Sequence, residues 1–163
     1  MDPSKVDAVQ AWPTPRSMRT VRDFLYLIGY YRRFIKSYGE LAAPLTKLLK
    51  REAFVWDDSA ASAFTTLKQA LTTRPVLQLP DFTKDFVVDC DASGSGFGAV
   101  LRQGSGPIVF FSCAIASHHA KLAAYERELI GLVKAVRHRR HYLWTRPFLV
   151  CTDHYSLKYL LER

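Results

Sequence analysis

The stretch DFVVDCDASGSGFGAVLRQ, residues 85–103, decides the fold of this chain. Residues 86–91 are rich in apolar and β-branched side chains and are too few for an independent helix, so they predict a strand. The SGSG sequence at 93–96 predicts a turn, and residues 97–102 predict a second strand. A third strand is predicted at 108–114, after a connection that contains Gly and Pro. The region therefore predicts the start of an antiparallel sheet.

A long helix and a fourth strand follow these three strands. Residues 120–143 carry apolar side chains at helical spacing, and Pro147 comes after them as a breaker. Phe148–Thr152 predicts the fourth strand, and residues 155–162 predict the start of another helix. Three antiparallel strands followed by a crossover to a fourth indicate an α/β domain with a mixed sheet.

The first half of the chain has a different periodicity. Apolar residues at i, i+3, i+4 and i+7 spacing run from Val21 to Ile35, which predicts an amphipathic helix. Ser17 precedes this stripe as an N-cap, and Gly39 follows it as a stop.

Two further helices complete the helical half. One is predicted from Pro44 to Arg51, and another begins after Asp57 or Asp58 and ends before Pro75. The predicted fold class is α/β (α+β). Residues 1–76 form a helical segment, and residues 77–163 form the domain with a mixed sheet.

Composition narrows the classes of function. The chain has 163 residues, a formal net charge of +8 and a pI near 9.6, which favours a polyanionic partner such as nucleic acid. It has no apolar run long enough to span a membrane and no N-terminal apolar region typical of a secretory signal, so we expect neither a membrane protein nor a secreted one. Three widely spaced cysteines suit a reducing compartment, the cytoplasm or the nucleus.

Two groups of basic residues are candidates for contact with a nucleic-acid backbone, because cations neutralise phosphates and nearby tyrosine rings can stack. The first group is Arg22, Arg32 and Arg33, and a solvated helix face would also explain it. The second group is Arg137, Arg139 and Arg140, which would also be explained by the favourable position of cations at the negative end of a helix dipole. The candidates are Arg22, Arg32, Arg33, Arg137, Arg139 and Arg140.

Acidic residues form the second candidate site. Asp91 lies on the first predicted strand, Asp153 comes directly after the fourth, and Glu128 lies among apolar residues of the long helix. If the two strands are neighbours, these carboxylates can meet, and their repulsion favours a divalent cation such as Mg²⁺. The alternative is that they are ordinary surface acids, with Asp153 capping the following helix.

Several longer phrases occur in a fixed order along the chain. They are CDASGSGFGAVL at 90–101, YEREL at 125–129, RHYL at 140–143 and TDHYSL at 152–157, preceded by WPTP at 12–15, GYYRRFI at 29–35, APLT at 43–46 and FVW at 54–56. In these phrases the chain resembles the polyproteins of Ty3/gypsy-type retrotransposons. The similar region covers the thumb and connection of the reverse transcriptase and the N-terminal part of the RNase H-like domain.

The resemblance implies roles for three residues. Asp91 matches the aspartate of the "DAS" phrase, Glu128 matches the glutamate directly before the leucine of the "ELLA" phrase, and Asp153 matches the aspartate of the "TDH" phrase. In the family these residues are catalytic ligands of Mg²⁺ or Mn²⁺, and the reaction is hydrolysis of the RNA strand in an RNA–DNA hybrid. The resemblance therefore implies a ribonuclease H-type endonuclease.

The sequence also departs from the family pattern. It ends at Arg163, before the late His, the fourth Asp and the fifth strand of a complete RNase H domain, and it lacks the polymerase palm. We therefore expect no polymerase activity and weak or absent nuclease activity. An alternative is a retroelement-derived host protein that acts by binding proteins or nucleic acid. The open edge of the strand Phe148–Thr152 predicts pairing with a second copy or with a host protein.

Overall fold

The computed structural model describes residues 3–50, 54–73, 77–93, 96–116, 118–144 and 146–153. The predicted helix at 155–162 lies outside these residues. The first part contains α1 (Pro3–Gln10), α2 (Met18–Tyr30), a 3₁₀ turn (Arg32–Phe34), α3 (Tyr38–Leu41), α4 (Ala43–Leu48) and α5 (Asp58–Thr72). The second part contains β1 (Phe86–Ala92), β2 (Gly96–Gln103), β3 (Gly106–Ala114), α6 (Ala124–His138), α7 (Arg140–Leu143) and β4 (Phe148–Thr152).

The caps of the helical part agree with the predictions. The Ser17 hydroxyl accepts a hydrogen bond from the backbone N–H of Thr20 at 3.3 Å, and Asp57 accepts one from Ala60 at 2.9 Å. The predicted stop at Gly39 is wrong, because α2 ends at Tyr30 and Gly39 lies inside α3. A Cβ at Gly39 would come within 3.3 Å of the Cys113 backbone, so this glycine permits α3 to lie close to β3.

The sheet has the predicted mixed topology. Its described strands lie in the order β3-β2-β1-β4; β1 pairs antiparallel with β2 and parallel with β4, and β2 pairs antiparallel with β3. The turn between β2 and β3 is tighter than predicted and contains Gly104 at a φ of 57°, a conformation that favours glycine.

The long helix differs from its prediction at both ends. It begins at Ala124, where Glu126 accepts a hydrogen bond from the Ala123 N–H at 2.9 Å, and it is interrupted at Arg139. Its buried face contains Gly131, whereas the apolar Val133 is 40% exposed. A Cβ at Gly131 would overlap the Phe97 ring, so this glycine permits the helix to lie close to the sheet.

Two groups of buried side chains hold the described residues together. The helical core is formed by α1 to α5 and the segments between them, with Phe24, Ile28 and Leu67 fully buried. The sheet core lies between the sheet and α6, and includes Phe86, Val88 and Cys90. The predicted division at residue 76 lies outside the described residues. None of the described helices is long and apolar enough to cross a bilayer.

Candidate metal and nucleic-acid site

The parallel pairing of β1 with β4 brings two strand ends together. Cys90 of β1 lies opposite Thr152 of β4. The residues that follow them, Asp91 and Asp153, therefore stand next to each other in the register of two neighbouring strands. The condition under which these two carboxylates can meet, that the first and fourth strands are neighbours, is therefore fulfilled.

Glu128 reaches the same region from α6. Its side chain is only 3% exposed, although carboxylates are seldom buried without a partner. The Thr152 hydroxyl donates a hydrogen bond to Glu128 Oε1. The structure thus places Glu128 against the last residue of β4, directly before Asp153.

The Cys90 thiol lies among these acidic groups. Its pKa is raised to about 12, first by burial and then by the negative charges of Glu128, Asp153, Asp89 and Asp91. The thiol donates a hydrogen bond to the Cys151 carbonyl at 3.4 Å. Acidic side chains of β1, of α6 and of the residue after β4 therefore lie near one buried thiol of the sheet core.

Asp89 is engaged elsewhere. Its carboxylate forms an ion pair with Arg102 on β2, including a hydrogen bond from Nη2 to Oδ1 at 3.1 Å. Asp89 and Asp91 are two residues apart on β1, so the alternation of side chains along a strand puts both on the face opposite Cys90. The Arg102 guanidinium therefore balances the charge of Asp89.

Asp91 lines a cavity between the sheet and the helical part. The cavity has a volume of about 180 Å³, and Lys36 and Glu40 line its other side. Glu40 accepts a hydrogen bond from the Ser93 hydroxyl, and a Cβ at Gly96 would lie 2.7 Å from Glu40 Cγ. Sequence reasoning missed Lys36 and Glu40, because only the docking of α3 on the sheet brings them to Asp91.

The three predicted ligands are near one another but are not assembled. In the described ranges of the chain, no three His, Cys, Asp or Glu side chains lie close enough together to hold a metal ion. Asp91 faces the cavity, whereas Glu128 packs on the α6 side of the sheet. Their convergence on one ion stays a prediction.

The predicted basic residues differ in exposure. Arg22, Arg32, Arg33, Arg137 and Arg140 are exposed. Arg139 is half-buried, and its guanidinium donates to the Phe110 carbonyl at 2.9 Å.

Arg139 also shows where the two basic groups meet. Burial lowers its pKa, and the charges of Arg32 and Arg33 lower it further. Cations from the helical part and from the end of α6 therefore lie near each other, with Arg139 also supporting the fold.

Two tyrosines extend the basic surface of α2. Tyr26 and Tyr30 are 87% and 72% exposed and lie four residues apart, in line with Arg22; Asp23 is exposed beside them. Exposed aromatic rings beside cations are typical of surfaces that bind nucleic-acid strands. The i, i+4 spacing with Arg22 is the signal that could have identified Tyr26 from the sequence.

Comparison with known proteins identifies the family. Residues 56–150 match the family described as "RNase H-like domain found in reverse transcriptase". The chain belongs to this family. The resemblance to retrotransposon polyproteins is thereby confirmed, and so is the RNase H-like character of the region.

Curated relatives come from flies and yeast. The chain is 41% identical over 161 residues to the retrovirus-related Pol polyprotein from transposon 297 of Drosophila melanogaster, covering 98% of this chain and 15% of that protein. It is 36% identical to the Pol polyprotein from transposon gypsy, covering 97% of this chain and 17% of that protein. It is 32% identical to the transposon Tf2-3 polyprotein of Schizosaccharomyces pombe, and the match covers 93% of this chain and 12% of that protein. The chain thus spans less than a fifth of each of these relatives.

Solved structures with the same fold include two of the foamy viral protease-reverse transcriptase. The one in complex with an RNA/DNA hybrid has a TM-score of 0.88 at 21% identity and covers 99% of this chain and 23% of that chain. The one in complex with dsDNA has a TM-score of 0.87 at 21% identity and covers 100% and 35%. These likenesses confirm the mixed α/β fold.

Proposed function

We propose that this chain takes part in metal-dependent hydrolysis of the RNA strand in RNA–DNA hybrids. The observation that carries the proposal is the burial of Glu128 where β1 and β4 meet, bonded to the residue before Asp153. A buried carboxylate beside two further acids is unfavourable for a purely structural core. Such an arrangement suits a site that binds a cation.

Asp91, Glu128 and Asp153 would hold Mg²⁺ or Mn²⁺. They supply only oxygen donors, which these hard cations prefer. Within the described part of the chain, no ion pair neutralises any of the three, and their charges raise the Cys90 pKa. When bound, such ions activate the attacking water and stabilise the leaving oxygen.

The chain's own residues supply binding and orientation. The carboxylates act as ligands, so no side chain needs to form a covalent intermediate. The exposed basic residues neutralise phosphates of the hybrid, a role supported by the same fold in a foamy viral protease-reverse transcriptase solved in complex with an RNA/DNA hybrid. Because the three acids are not assembled, we expect slow cleavage by this chain alone. The proposed nucleic-acid contacts are the exposed Arg22, Arg32, Arg33, Arg137 and Arg140, whereas the half-buried Arg139 supports the fold beneath them.

A cleavage assay tests the proposal. A hybrid with labelled RNA is incubated with the protein in Mg²⁺ and in Mn²⁺, beside single-stranded RNA and double-stranded DNA. The matched control carries Asp91→Asn, Glu128→Gln and Asp153→Asn together, which keeps side-chain shape and removes the charges. We expect cleavage of the RNA strand of the hybrid only, and none by the control. Cleavage that survives in the control, or no cleavage in either metal, contradicts the proposal.

We further propose that the outer edge of β4 pairs with a second copy of this chain. Among the described strands β4 lies at one end of the sheet, and Leu149 and Val150 are 62% and 40% exposed. An open edge with apolar, β-prone side chains favours strand addition. Pairing with a host protein is the other outcome of the association test. We place the chain in the cytoplasm or nucleus, where reducing conditions suit its three free cysteines.

A further inference from the structure

We infer that Thr152 is a positioning residue for Glu128: its hydroxyl fixes the orientation of the Glu128 carboxylate and thereby the affinity of the site for divalent metal. The inference rests on the proposed function. It concerns a neutral residue that is not itself a ligand, and it makes a prediction for metal binding that needs no cleavage reaction.

The position of the Thr152 hydroxyl is set by the sheet. Thr152 is the last residue of β4 and lies opposite Cys90 in the parallel pair. Its neighbour Cys151 accepts a hydrogen bond from the Cys90 thiol through its carbonyl. The end of β4 is therefore held both by its backbone pairing with β1 and by the hydrogen bond from the Cys90 thiol. The Thr152 hydroxyl consequently has a defined position.

Glu128 needs such a donor. It is 97% buried, on the face of α6 that also carries Gly131 and Ala135. A glutamate side chain has several rotatable bonds, and the buried Glu128 has little contact with bulk water. A hydrogen-bond donor of the protein is therefore needed to fix its orientation. α6 lies close to the sheet at Gly131, where a Cβ would overlap the Phe97 ring, and the Glu128 carboxylate lies within hydrogen-bond reach of the Thr152 hydroxyl.

The chemistry of the contact favours a role in metal binding. A hydroxyl that donates to a carboxylate oxygen leaves other lone pairs of that carboxylate available to a cation. Outer partners of this kind orient ligands, and their loss typically lowers metal affinity about 10- to 100-fold. Threonine also suits the strand, because its branched Cβ packs as valine does.

Mn²⁺ titration of the metal-free chain, followed by electron paramagnetic resonance of the free ion, tests the inference. We expect Thr152→Val to weaken Mn²⁺ binding about 10-fold or more, and Thr152→Ser, which keeps the donor, to stay within about 3-fold of wild type. In a Glu128→Gln background, Thr152→Val should have no further effect, because the hydroxyl acts through the carboxylate. The matched control is Thr46→Val in α4, whose hydroxyl donates only to the Ala42 carbonyl at 2.9 Å.

The outcomes separate the inference from the proposed function. The proposed function fails if the wild-type protein does not bind Mn²⁺, or if Asp91→Asn leaves that binding unchanged. If wild type binds and a folded Thr152→Val variant binds equally well or more tightly, the positioning role is wrong. Thr152→Ala replaces the valine variant if the latter unfolds, as judged by thermal melting without metal. Loss of the fold in both assigns Thr152 to the core and overturns the inference.

Discussion

The helical core and the sheet core differ in what they bury. The largest fully buried side chains of the described residues lie mainly in the helical core, among them Phe24, Ile28 and Leu67. The two buried polar side chains in the described part, Gln103 and Glu128, belong to the sheet and to α6. Gln103 bonds to backbone groups of Asp81 and Lys84, whereas Glu128 accepts from the Thr152 hydroxyl and lies near other acids. The comparison indicates a structural scaffold on one side and a site with acidic side chains on the other.

The largest expected effect breaks the helical core. Phe24→Ala removes a fully buried ring that packs on Phe64 with centroids 4.6 Å apart. We expect the free energy of unfolding to fall by about 3–5 kcal/mol, measured by urea denaturation. The molecules that remain folded should bind Mn²⁺ as the wild type does, because Phe24 lies in the helical core.

The matched change in the sheet core is Glu128→Gln. It keeps the volume and removes a carboxylate, so we expect the free energy of unfolding to change by about 1 kcal/mol or less, while cleavage is lost and Mn²⁺ binding is weakened but still measurable. A loss of stability as large as that of Phe24→Ala would refute the contrast between the two cores.

A second prediction concerns the Cys90 thiol. At pH 9 a thiol with the ordinary pKa of 9.0 is half ionised, whereas a pKa of about 12 leaves about 1 in 1000 thiols ionised. Only the thiolate reacts, so we expect alkylation at pH 9 to be about 100-fold or more slower at Cys90 than at the exposed Cys151, as measured by mass spectrometry. Equal rates would contradict the burial and the negative surroundings of Cys90.

The same pKa predicts how stability responds to alkali. The folded protein keeps the Cys90 proton between pH 9 and about 12, whereas the unfolded chain releases it. This contribution to stability is therefore complete below pH 9 and is lost as the pH rises toward 12. Cys90→Ser should reduce that dependence on pH, which urea denaturation at pH 8 and at pH 10 would measure.

A third prediction separates the basic residues. Arg137→Gln should weaken binding of a hybrid and lower the slope of log affinity against log salt by about 0.7–0.9, since one phosphate contact is lost. Arg139→Gln should instead lower thermal stability, because its guanidinium bonds to Phe110 and is half-buried. Fluorescence anisotropy at several salt concentrations measures the first effect, and a reversal of the two results would overturn the assignment.

The smallest expected effect concerns the β4 edge. Leu149→Lys places a charge on an exposed position without removing a backbone donor, so it should weaken self-association about 10-fold and leave the fold intact. Light scattering at micromolar concentration measures the change, with Thr65→Lys on the exposed side of α5 as the control. A wild-type protein that is strictly monomeric, or a dimer that tolerates Leu149→Lys, would exclude this edge as the interface.

Local sequence patterns predicted the strands and the helix caps well, because both depend on residues that are close together in the sequence. The strands at 86–91, 97–102, 108–114 and 148–152 correspond to β1 to β4 within one or two residues at each end. Ser17 and Asp57 cap helices as predicted, since a cap depends on groups only three residues away. The end of α2 and the interruption at Arg139 were missed, because there the chain turns to reach partners distant in sequence.

The sequence by itself determined the mixed α/β fold, the family, and Asp91, Glu128 and Asp153 as the residues to consider. Strand propensity, helical periodicity and short motifs are properties of neighbouring residues, so they can be recognised before folding. Only the tertiary structure decided that Thr152 meets Glu128, that Glu40 meets Ser93 and that Asp89 pairs with Arg102. These contacts join residues 13 to 53 positions apart, and they exist because strand register and helix docking bring separate elements to one place.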